Sequence, residues 1–587
     1  MPEESGAGGP VAPADVLVVG EGPAATATAA ALEDADAAVH RGDVAAVADA
    51  DLAVVTGVAG ADGFDAANDR ALAGETPWLA VTANGVGTRP LEDVAAAVAG
   101  FAPGAGCLRC LDHRLAAASD AGADPGEGGD AAATRADHRL AGAIAGREAV
   151  RSLDGDPFTG LIELPHRRRT FLRVPTCESC TPARDRTLSR GGESVDLSTA
   201  AARVERAVDD RVGPVAAVGE RESYPAPYYL AVLSATDGFS DAAAMGKAAG
   251  VDDDWDAAYV KAVGEALERY AAGVYRTDEF RSAPPADLPD AVAPSVFVRP
   301  ADAPPPDPGR AEQWVPAVDL ATDETSWLPA ELVHFPPPAE RHRPAITTGL
   351  GLGTSPDGAL ASGALEVLER DATMLGWYSS YEPLGLDVDD PDVDALRRRA
   401  RSESLSVDLS LLTQDVDVPV VAATVRRESW PRFAAGSAAG FDPIATASDA
   451  LAEALQNWME LRALGRDDAA QAGAAVARYA DDASAAPRLS PDDAVPAERV
   501  GPVDPPEDVG ETVDAAVDEA SAAGVDLYAT RFTTPDLAAL GLEAVRVLSP
   551  QAQPLFVDDP YFGERARSVP PELGFAPRLD RAYHPFP

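Results

Sequence analysis

Ala364-Leu365-Glu366-Val367-Leu368-Glu369-Arg370-Asp371 is the stretch that says most about how this 587-residue chain is built. Its core, Glu-x-x-Glu-Arg, also occurs earlier in the chain, at Glu265–Arg269. A third apolar stretch contributes Glu453, Gln456 and Glu460. The flanking residues favour helix, and residues three or four apart share one face of a helix. The sequence therefore predicts three helices, each directing carboxyl or amide groups to one side.

Carboxylates grouped in this way repel one another unless cations lie between them. Oxygen ligands suit Mg²⁺, which binds one or two carboxylates together with the phosphates of a nucleotide. A solvated acidic face is the simpler interpretation of any one of these motifs. Three of them, each among apolar residues and two followed by arginine, favour a magnesium–nucleotide site instead.

Composition limits the class of protein. The length predicts two or three domains. The chain is 46% hydrophobic, and it has no uninterrupted apolar run of membrane-spanning length. Its first residues lack the basic start and apolar stretch of a signal peptide. We therefore expect a cytoplasmic protein with no membrane partner.

The net charge of −48 is spread along the whole chain. Among the 48 basic residues, only Lys247 and Lys261 are lysines. Distributed acid with little lysine is typical of proteins from strongly saline, halophilic settings, where the Debye length falls to about 3 Å at 1 M salt. The charge argues against a nucleic-acid partner. Both lysines precede or lie within the first glutamate motif, so we interpret them as retained for a role that arginine cannot fill.

The four cysteines form two C-x-x-C pairs, Cys107 with Cys110 and Cys177 with Cys180. In a cytoplasmic chain, two such pairs indicate a tetrahedral zinc site rather than disulfides. Four thiolates leave no open position for water or substrate, so the predicted Zn²⁺ is structural. Four unligated buried cysteines are the alternative, which would require two coincidences of spacing.

The N-terminal part reads as an α/β domain. Asp15–Leu32 predicts a buried strand, a Gly20-x-Gly22 turn and a helix. Buried strands are also predicted at Leu52–Thr56 and Trp78–Thr82, each after a helical stretch. The turn could belong to a dinucleotide site, but a structural turn is the favoured interpretation, because no acidic residue is clearly placed after the second strand. Residues 1–13 are expected to be disordered, and residues 116–136 to be a flexible insertion.

The C-terminal part reads as α+β. Strands are predicted at 227–234 and 418–425, and helices carry the glutamate motifs. Proline-rich stretches at 282–310 and 488–507 predict loops. All of the predicted nucleotide chemistry falls in this second region.

Residues 195–587 resemble the YcaO superfamily of ATP-dependent peptide-modifying enzymes. The matching segments are the Gly246-Lys247 turn, Glu265–Arg269, Thr347–Thr354 leading into Glu366–Asp371, Glu453-x-x-Gln456 and Thr533–Arg546. Residues 14–190 resemble the E1-like, Rossmann-like partner domain of such enzymes, which holds zinc on two C-x-x-C pairs. The chain as a whole is thus similar to a fused, SagD-like cyclodehydratase of the thiazole/oxazole-modified microcin type.

The resemblance implies roles for particular residues. ATP and Mg²⁺ would be held by Lys247, Glu265, Glu268, Arg269, Glu366, Glu369, Glu453 and Gln456. A carboxylate at Pro587 would act in proton transfer. This chain departs from the family pattern at three positions. Lys261 and Asp449 stand where the first and third motifs usually open with a small polar residue. Tyr583 interrupts the proline-rich pattern of the tail.

The implied reaction forms azoline rings from Cys, Ser or Thr in a ribosomally synthesised peptide, by phosphorylation of a backbone amide oxygen. Thioamidation, accessory work in protein methylthiolation and a non-catalytic docking scaffold are the alternatives. The resemblance implies a homodimer and a dehydrogenase partner. Since the first strand begins almost at once, we expect a separate leader-binding protein.

Overall fold

The computed structural model describes residues 14–120, 132–165, 167–472, 478–557 and 559–586. The chain divides into two compact units, Met1–Ala183 with Asp209–Ala216, and Arg184–Val208 with Ala217–Pro587. The segment 1–13, expected to be disordered, lies outside the described residues. So does most of the expected insertion 116–136, whose residues 116–120 continue a helix and are therefore not a flexible loop.

The first unit contains nine strands and four helices among its described residues. The strands are β1 (Asp15–Val19), β2 (Ala38–Gly42), β3 (Leu52–Val58), β4 (Trp78–Ala83), β5 (Gly85–Val86), β6 (Arg89–Pro90), β7 (Ala96–Phe101), β8 (Gly160–Glu163) and β9 (Arg167–Arg169). The helices are α1 (Pro23–Glu33), α2 (Gly63–Gly74), α3 (Leu108–Asp120) and α4 (Arg135–Leu153).

Seven of these strands form a mixed sheet in the order β2-β1-β3-β4-β7-β8-β9. Strands β2, β1, β3 and β4 are parallel, and the remaining pairs are antiparallel. All three predicted strands and the helix opened by Pro23 are confirmed. The turn between β1 and α1 packs against β3: a Cβ at Gly20 would lie 2.4 Å from the hydroxyl oxygen of Thr56. A side chain at position 20 would clash with Thr56, so the packing of the turn explains why this residue is glycine.

The second unit continues the element order with 14 strands and ten helices among its described residues. The strands are β10 (Val215–Glu222), β11 (Tyr228–Leu233), β12 (Lys247–Val251), β13 (Arg281–Ala283), β14 (Glu312–Asp319), β15 (Thr325–Pro329), β16 (Leu350–Gly353), β17 (Gly385–Asp387), β18 (Ser406–Leu411), β19 (Val420–Arg426), β20 (Phe433–Ala439), β21 (Ala494–Pro496), β22 (Tyr528–Arg531) and β23 (Glu543–Leu548). The helices are α5 (Leu197–Glu205), α6 (Trp255–Gly273), α7 (Ala330–Val333), α8 (Pro356–Trp377), α9 (Pro391–Ser402), α10 (Pro443–Leu464), α11 (Arg466–Ala472), α12 (Val509–Ala522), α13 (Pro535–Leu540) and α14 (Arg565–Glu572).

Three sheets build this unit. One is β10-β11-β12, the second is β13-β14-β22-β23-β16 with β15 paired to β14, and the third is β20-β19-β18-β17-β21. Strands β12, β16 and β20 belong to different sheets, and each is the strand that precedes one glutamate helix. The predicted helices α6, α8 and α10 are therefore confirmed, and each sheet contributes one strand–helix pair to the same region.

Each glutamate helix begins at a side-chain cap. Asp254 accepts hydrogen bonds from the amides of residues 256 and 257, Ser355 from that of Gly358, and Asp442 from those of residues 444 and 445. Proline follows the cap in α8 and α10. Proline has no backbone N–H, but at the first helical position that N–H would have no partner within the helix. Proline therefore suits the starts of these two helices.

Glycine lets each of these helices lie directly on its strand. A Cβ at Gly250 of β12 would lie 2.2 Å from a backbone nitrogen of α6, and one at Gly436 of β20 would lie 2.5 Å from a backbone nitrogen of α10. Gly351 of β16 stands in the same relation to α8, 2.2 Å from a backbone oxygen. The close approach brings the strand's amides within reach of the helix's glutamates. Among the described residues, no helix joins the length and the apolarity that crossing a membrane requires.

Candidate functional site

Three glutamates from different helices are held by backbone amides of the neighbouring strand segments. Glu265 of α6 accepts from the amide of Ala249 at 3.2 Å. Glu366 of α8 accepts from Gly349 at 2.9 Å, and Glu453 of α10 accepts from the amide of Ser437 at 2.6 Å. In each case one carboxylate oxygen is fixed, which orients the side chain.

Arg370 lies among the carboxylates of α8 and α10. Its guanidinium is 3.4 Å from Glu369 and 3.9 Å from both Glu366 and Glu453. Burial opposes the charge of Arg370, but these three carboxylates raise its pKa above the ordinary value. The hydroxyl of Ser437 donates a 2.7 Å hydrogen bond to Glu369. Arg370 is thus the cation around which α8 and α10 arrange their acidic groups.

The site holds more carboxyl groups than basic side chains. The pKa values of three of these carboxyl groups are raised above the ordinary value. Burial, together with Glu366 and Glu265, raises the pKa of Glu268 to about 8. Burial also raises the pKa of Glu369 to about 8, with Glu453 adding to the effect and Arg370 opposing it. The pKa of Glu453 is raised mainly by burial as well. Further positive charge at this place would stabilise the ionised forms.

A cavity of about 870 Å³ opens beside these groups. Of the residues predicted to bind nucleotide and magnesium, it brings together Lys247, Glu265, Glu268, Arg269, Glu366, Glu453 and Gln456. Arg269 pairs with Glu265 one turn earlier in α6. The remaining predicted residue, Glu369, lies behind this wall, where it is 8% exposed and bound to Ser437.

A smaller cavity of about 540 Å³ shares Glu265, Glu268, Glu453 and Gln456 with the larger one. Its other walls are mostly apolar, with contributions from α5, β12, β16 and Leu542. Lys261 lines it and bridges Asp252 at 2.7 Å and Asp449 at 2.9 Å. The carboxylates therefore separate a more apolar space from one lined by several basic side chains.

Ser437 was not singled out from the sequence, and Arg370 and Glu460, although they belong to the quoted motifs, were not among the residues predicted to bind nucleotide and magnesium. Arg370 could have been predicted as a site residue from the sequence, because it occupies the same place in its motif as Arg269. Glu460 follows Gln456 by one helical turn, and it accepts hydrogen bonds from Gln456 at 3.1 Å and from the hydroxyl of Tyr228 at 3.2 Å. Ser437 lies in the strand segment FAAGSAA, where no sequence pattern marks it.

The four cysteines meet in the first unit. Cys107 and Cys110 lie at the start of α3, and Cys177 and Cys180 follow β9. The sulfur–sulfur distances are 4.0 Å for Cys107–Cys110, 3.8 Å for Cys107–Cys177 and 3.4 Å for Cys110–Cys180, with all four thiols free. Tetrahedral zinc with bonds of about 2.3 Å places its sulfurs about 3.8 Å apart, so this donor set fits Zn²⁺.

The residues before Pro587 are held inside the second unit, while Pro587 lies outside the described residues. Phe586 is fully buried and packs edge-on against Trp377. His584 is fully buried, and its Nε2 lies 2.9 Å from the carbonyl oxygen of Phe556. Burial lowers the pKa of His584 to about 4, and the charge of Arg370 contributes to that shift.

Comparison with known proteins identifies the region that carries the site. Residues 249–553 match the family model described as YcaO cyclodehydratase, ATP- and Mg²⁺-binding. An uncharacterized protein of Methanothermobacter thermautotrophicus is 31% identical over 173 residues, which cover 28% of this chain. The same alignment spans 44% of that protein, so this chain covers less than half of the length of its curated relative.

Two solved structures share the fold over nearly the whole chain. One is a heterocyclase in complex with substrate and cofactor, with a TM-score of 0.70 and 21% identity over 96% of this chain and 83% of that one. The other is the heterocyclase TruD, with a TM-score of 0.65 and 20% identity over 96% of this chain and 82% of that one. At these identities, the likeness shows the mixed α/β fold.

Proposed function

The chain belongs to the YcaO family, and from this premise we propose that it is an ATP- and Mg²⁺-dependent peptide cyclodehydratase. Its substrates would be ATP and a ribosomally synthesised peptide, in which Cys, Ser or Thr becomes an azoline ring. One observation carries the proposal: Glu265, Glu268, Glu366 and Glu453, from three helices, line a pair of adjoining cavities. Burial, with neighbouring carboxylates adding to the effect, raises the pKa of Glu268 and of Glu453.

This donor set fits Mg²⁺. Its oxygens come from Glu265, Glu268, Glu366, Glu369 and Glu453, and hard oxygen ligands are those that Mg²⁺ prefers. Bound magnesium would neutralise the negative charge of a phosphoryl group during its transfer. Three of these glutamates each have one oxygen fixed by a backbone amide, so little reorganisation is needed for binding.

The two cavities suit the two parts of the reaction. The smaller and more apolar cavity suits a nucleoside, with Lys261, Asp449 and Gln456 as its polar groups. The larger cavity carries Lys247, Arg269 and Arg370 beside the glutamates, which suits phosphates and the reacting part of a peptide. The γ-phosphate would then lie at the carboxylates that both cavities share.

The proposed reaction balances as follows. A side-chain thiol or hydroxyl of the peptide loses its proton as it adds to the preceding carbonyl carbon. The resulting oxyanion takes the γ-phosphoryl group of ATP, releasing ADP. Loss of phosphate from that carbon, with loss of the former amide proton, leaves the C=N bond of the ring. Within the protein, the glutamates and basic residues of the site would orient the two substrates.

We keep Pro587 as a proposed proton-transfer residue. Two observations on the preceding residues support this role: Phe586 is buried, and the charge of Arg370 contributes to the lowered pKa of His584. Deleting Pro587 should lower ring formation far more than ATP binding, whereas Pro587→Ala, which keeps the chain length, should retain most activity. Equal activity of the wild type and the deletion would remove Pro587 from the mechanism.

We propose a structural Zn²⁺ for the cysteine cluster, within a zinc-bearing E1-like domain. Its role would be to join α3 to the segment after β9. A separate leader-binding protein, a dehydrogenase and a homodimer belong to the same proposal. Light scattering of the purified chain, alone and with a candidate precursor peptide, tests the oligomeric state and whether the peptide binds unaided.

Glu366→Gln together with Glu369→Gln separates the enzyme from a docking scaffold. Under the proposal, Mg²⁺-dependent ATP turnover is lost while peptide binding survives. Glu382→Gln removes a carboxylate from an exposed loop and serves as the matched control. Retained turnover in the double variant would contradict the assignment of these glutamates. Sulfide added to the assay detects the thioamide alternative by exchange of oxygen for sulfur.

A further inference from the structure

We infer that Glu312, Glu331 and His342 form a binding site for a divalent transition-metal ion of the zinc and manganese class. One donor atom from each residue lies within 4.8 Å of the other two, and all three side chains are buried. The cluster belongs to the second unit and shares no residue with the proposed ATP site or with the cysteine cluster.

The imidazole is directed at both carboxylates without making a hydrogen bond. Nε2 of His342 lies 3.7 Å from Oε1 of Glu312 and 4.0 Å from Oε2 of Glu331. These distances exceed the hydrogen-bonding range. Both ring nitrogens of His342 and Oε2 of Glu331 are buried without a hydrogen-bond partner among the described residues. His342 is only 5% exposed and Glu331 8%, so water does not readily satisfy them.

The outer oxygen of each carboxylate is already occupied. Oε1 of Glu331 accepts from the amides of Arg341 and His342, both at 2.6 Å. Oε2 of Glu312 accepts from the guanidinium of Arg341 at 2.8 Å. These bonds orient the two carboxylates so that the remaining oxygens face the imidazole. Hydrogen-bonded ligands of this kind are typical of metal sites.

The donors determine the kind of ion. Leaving Oε2 of Glu331 and the ring nitrogens of His342 buried without partners costs free energy, which a divalent cation bound between them would offset. Bonds of about 2.0–2.2 Å at tetrahedral angles place ligands about 3.4 Å apart, so small side-chain movements close the present 3.7 and 4.0 Å gaps. Imidazole suits zinc and its neighbours, and carboxylates suit manganese as well as magnesium, so the imidazole is the donor that favours a transition-metal ion here.

The position of the cluster suggests what the ion does. Glu312 begins β14, Glu331 lies in α7, and His342 lies in the segment that runs from α7 to β16. That segment continues to Gly349, whose amide bonds to Glu366. An ion at the cluster would therefore tie the start of this segment to β14 and α7, and it would stabilise the backbone that holds a glutamate of the proposed ATP site.

Metal content of the full chain tests the inference. The protein is incubated with Zn²⁺, passed through metal-free buffer and analysed by plasma mass spectrometry. We expect two ions per chain in the wild type, one in His342→Gln and one in Glu331→Gln. Glu324→Gln, which removes a carboxylate from the exposed turn between β14 and β15, should keep two. Cys177→Ser should lose the other ion.

Two further measurements distinguish an ion at this cluster from an ion at the cysteines or at the proposed ATP site. Co²⁺ titration of the wild type should give intense thiolate charge-transfer bands for one equivalent, and only weak d–d absorption for a second. Glu369→Gln should not change the count, which shows that the second ion is not at the ATP site. One ion in the wild type, or an unchanged count in His342→Gln, would overturn the proposal and leave the cluster as buried polar side chains packed together without a metal ion.

Discussion

Ser437 joins two of the three glutamate helices through a single residue. Its hydroxyl donates a 2.7 Å hydrogen bond to Glu369 of α8, while its amide donates one of 2.6 Å to Glu453 of α10. The strand that carries it, β20, lies against α10 through Gly436. Ser437 therefore fixes the relative position of two carboxylates that we assign to magnesium binding.

Ser437→Ala should weaken this arrangement without unfolding the protein, because the amide bond to Glu453 remains. Loss of a hydrogen bond that orients a metal ligand costs about 10- to 100-fold in affinity or activity. We expect kcat/KM for ATP to fall by that factor, with a larger Mg²⁺ requirement. Ser406→Ala, on the exposed end of β18, should leave both quantities unchanged. Unchanged Mg²⁺ dependence in Ser437→Ala would show that Glu369 needs no such support.

Arg370→Gln should destabilise the protein more than Arg269→Gln. Arg370 is 12% exposed and lies within 4 Å of three carboxylates, whereas Arg269 is 21% exposed and pairs with Glu265. Removing one partner of a buried ion pair costs about 3–5 kcal/mol. Urea unfolding should show a loss of this order for Arg370→Gln, partly recovered by Mg²⁺ with a nucleotide. Equal losses in the two variants would contradict the central place given to Arg370.

Gly436→Ala tests the close contact between β20 and α10. The added Cβ would lie 2.5 Å from a backbone nitrogen of the helix, so α10 must move. Overpacking of this kind costs about 1–3 kcal/mol, and the shift displaces Glu453 from Ser437. We expect both a lower free energy of unfolding and a higher KM for ATP. Gly219→Ala, where nothing lies within 4 Å of the new Cβ, should change neither.

His584 should make the protein sensitive to acid. Burial lowers its pKa from 6.5 to about 4, so the unfolded chain takes up a proton at a higher pH than the folded one. The stability linked to neutral His584 is thus complete above pH 6.5 and declines as the pH falls towards 4, by up to about 1.4 kcal/mol per pH unit. His584→Gln should have a flatter stability profile over this range than the wild type.

The matched control for that prediction is His138→Gln on α4, whose side chain is partly exposed and whose profile should follow the wild type. Other buried groups also titrate below pH 6.5, so the informative quantity is the difference in slope between the two proteins. A His584→Gln profile parallel to that of the wild type would mean that the histidine has the same pKa in the folded and the unfolded chain.

Much of the site could be predicted from the sequence because helical periodicity is local. Glu265 and Glu268, or Glu366 and Glu369, reach one region whatever packs against them, once the segment is a helix. The cysteine pairs were equally readable, since C-x-x-C spacing already limits where two sulfurs can lie. Arg370 had a local signal too, because it repeats the position of Arg269 in its motif.

Tertiary contacts account for what could not be predicted. Ser437 sits in a small-residue strand, and its importance comes from α8, which is distant in the chain. Glu331 and His342 approach Glu312 only after α7 and the following segment fold back to the start of β14. No sequence pattern around these three residues predicts that they lie close together. The expected flexible insertion was partly wrong for a related reason, since 116–120 extend the helix that begins at Leu108.

Intact mass of a candidate precursor peptide is the most direct test of the proposed function. The peptide is incubated with the purified protein, ATP and Mg²⁺ in concentrated KCl, with and without sulfide. We expect loss of one water for each modified Cys, Ser or Thr, only when ATP is present, and none with the double variant Glu366→Gln, Glu369→Gln. A peptide that binds but keeps its mass, with no ATP turned over, would contradict it.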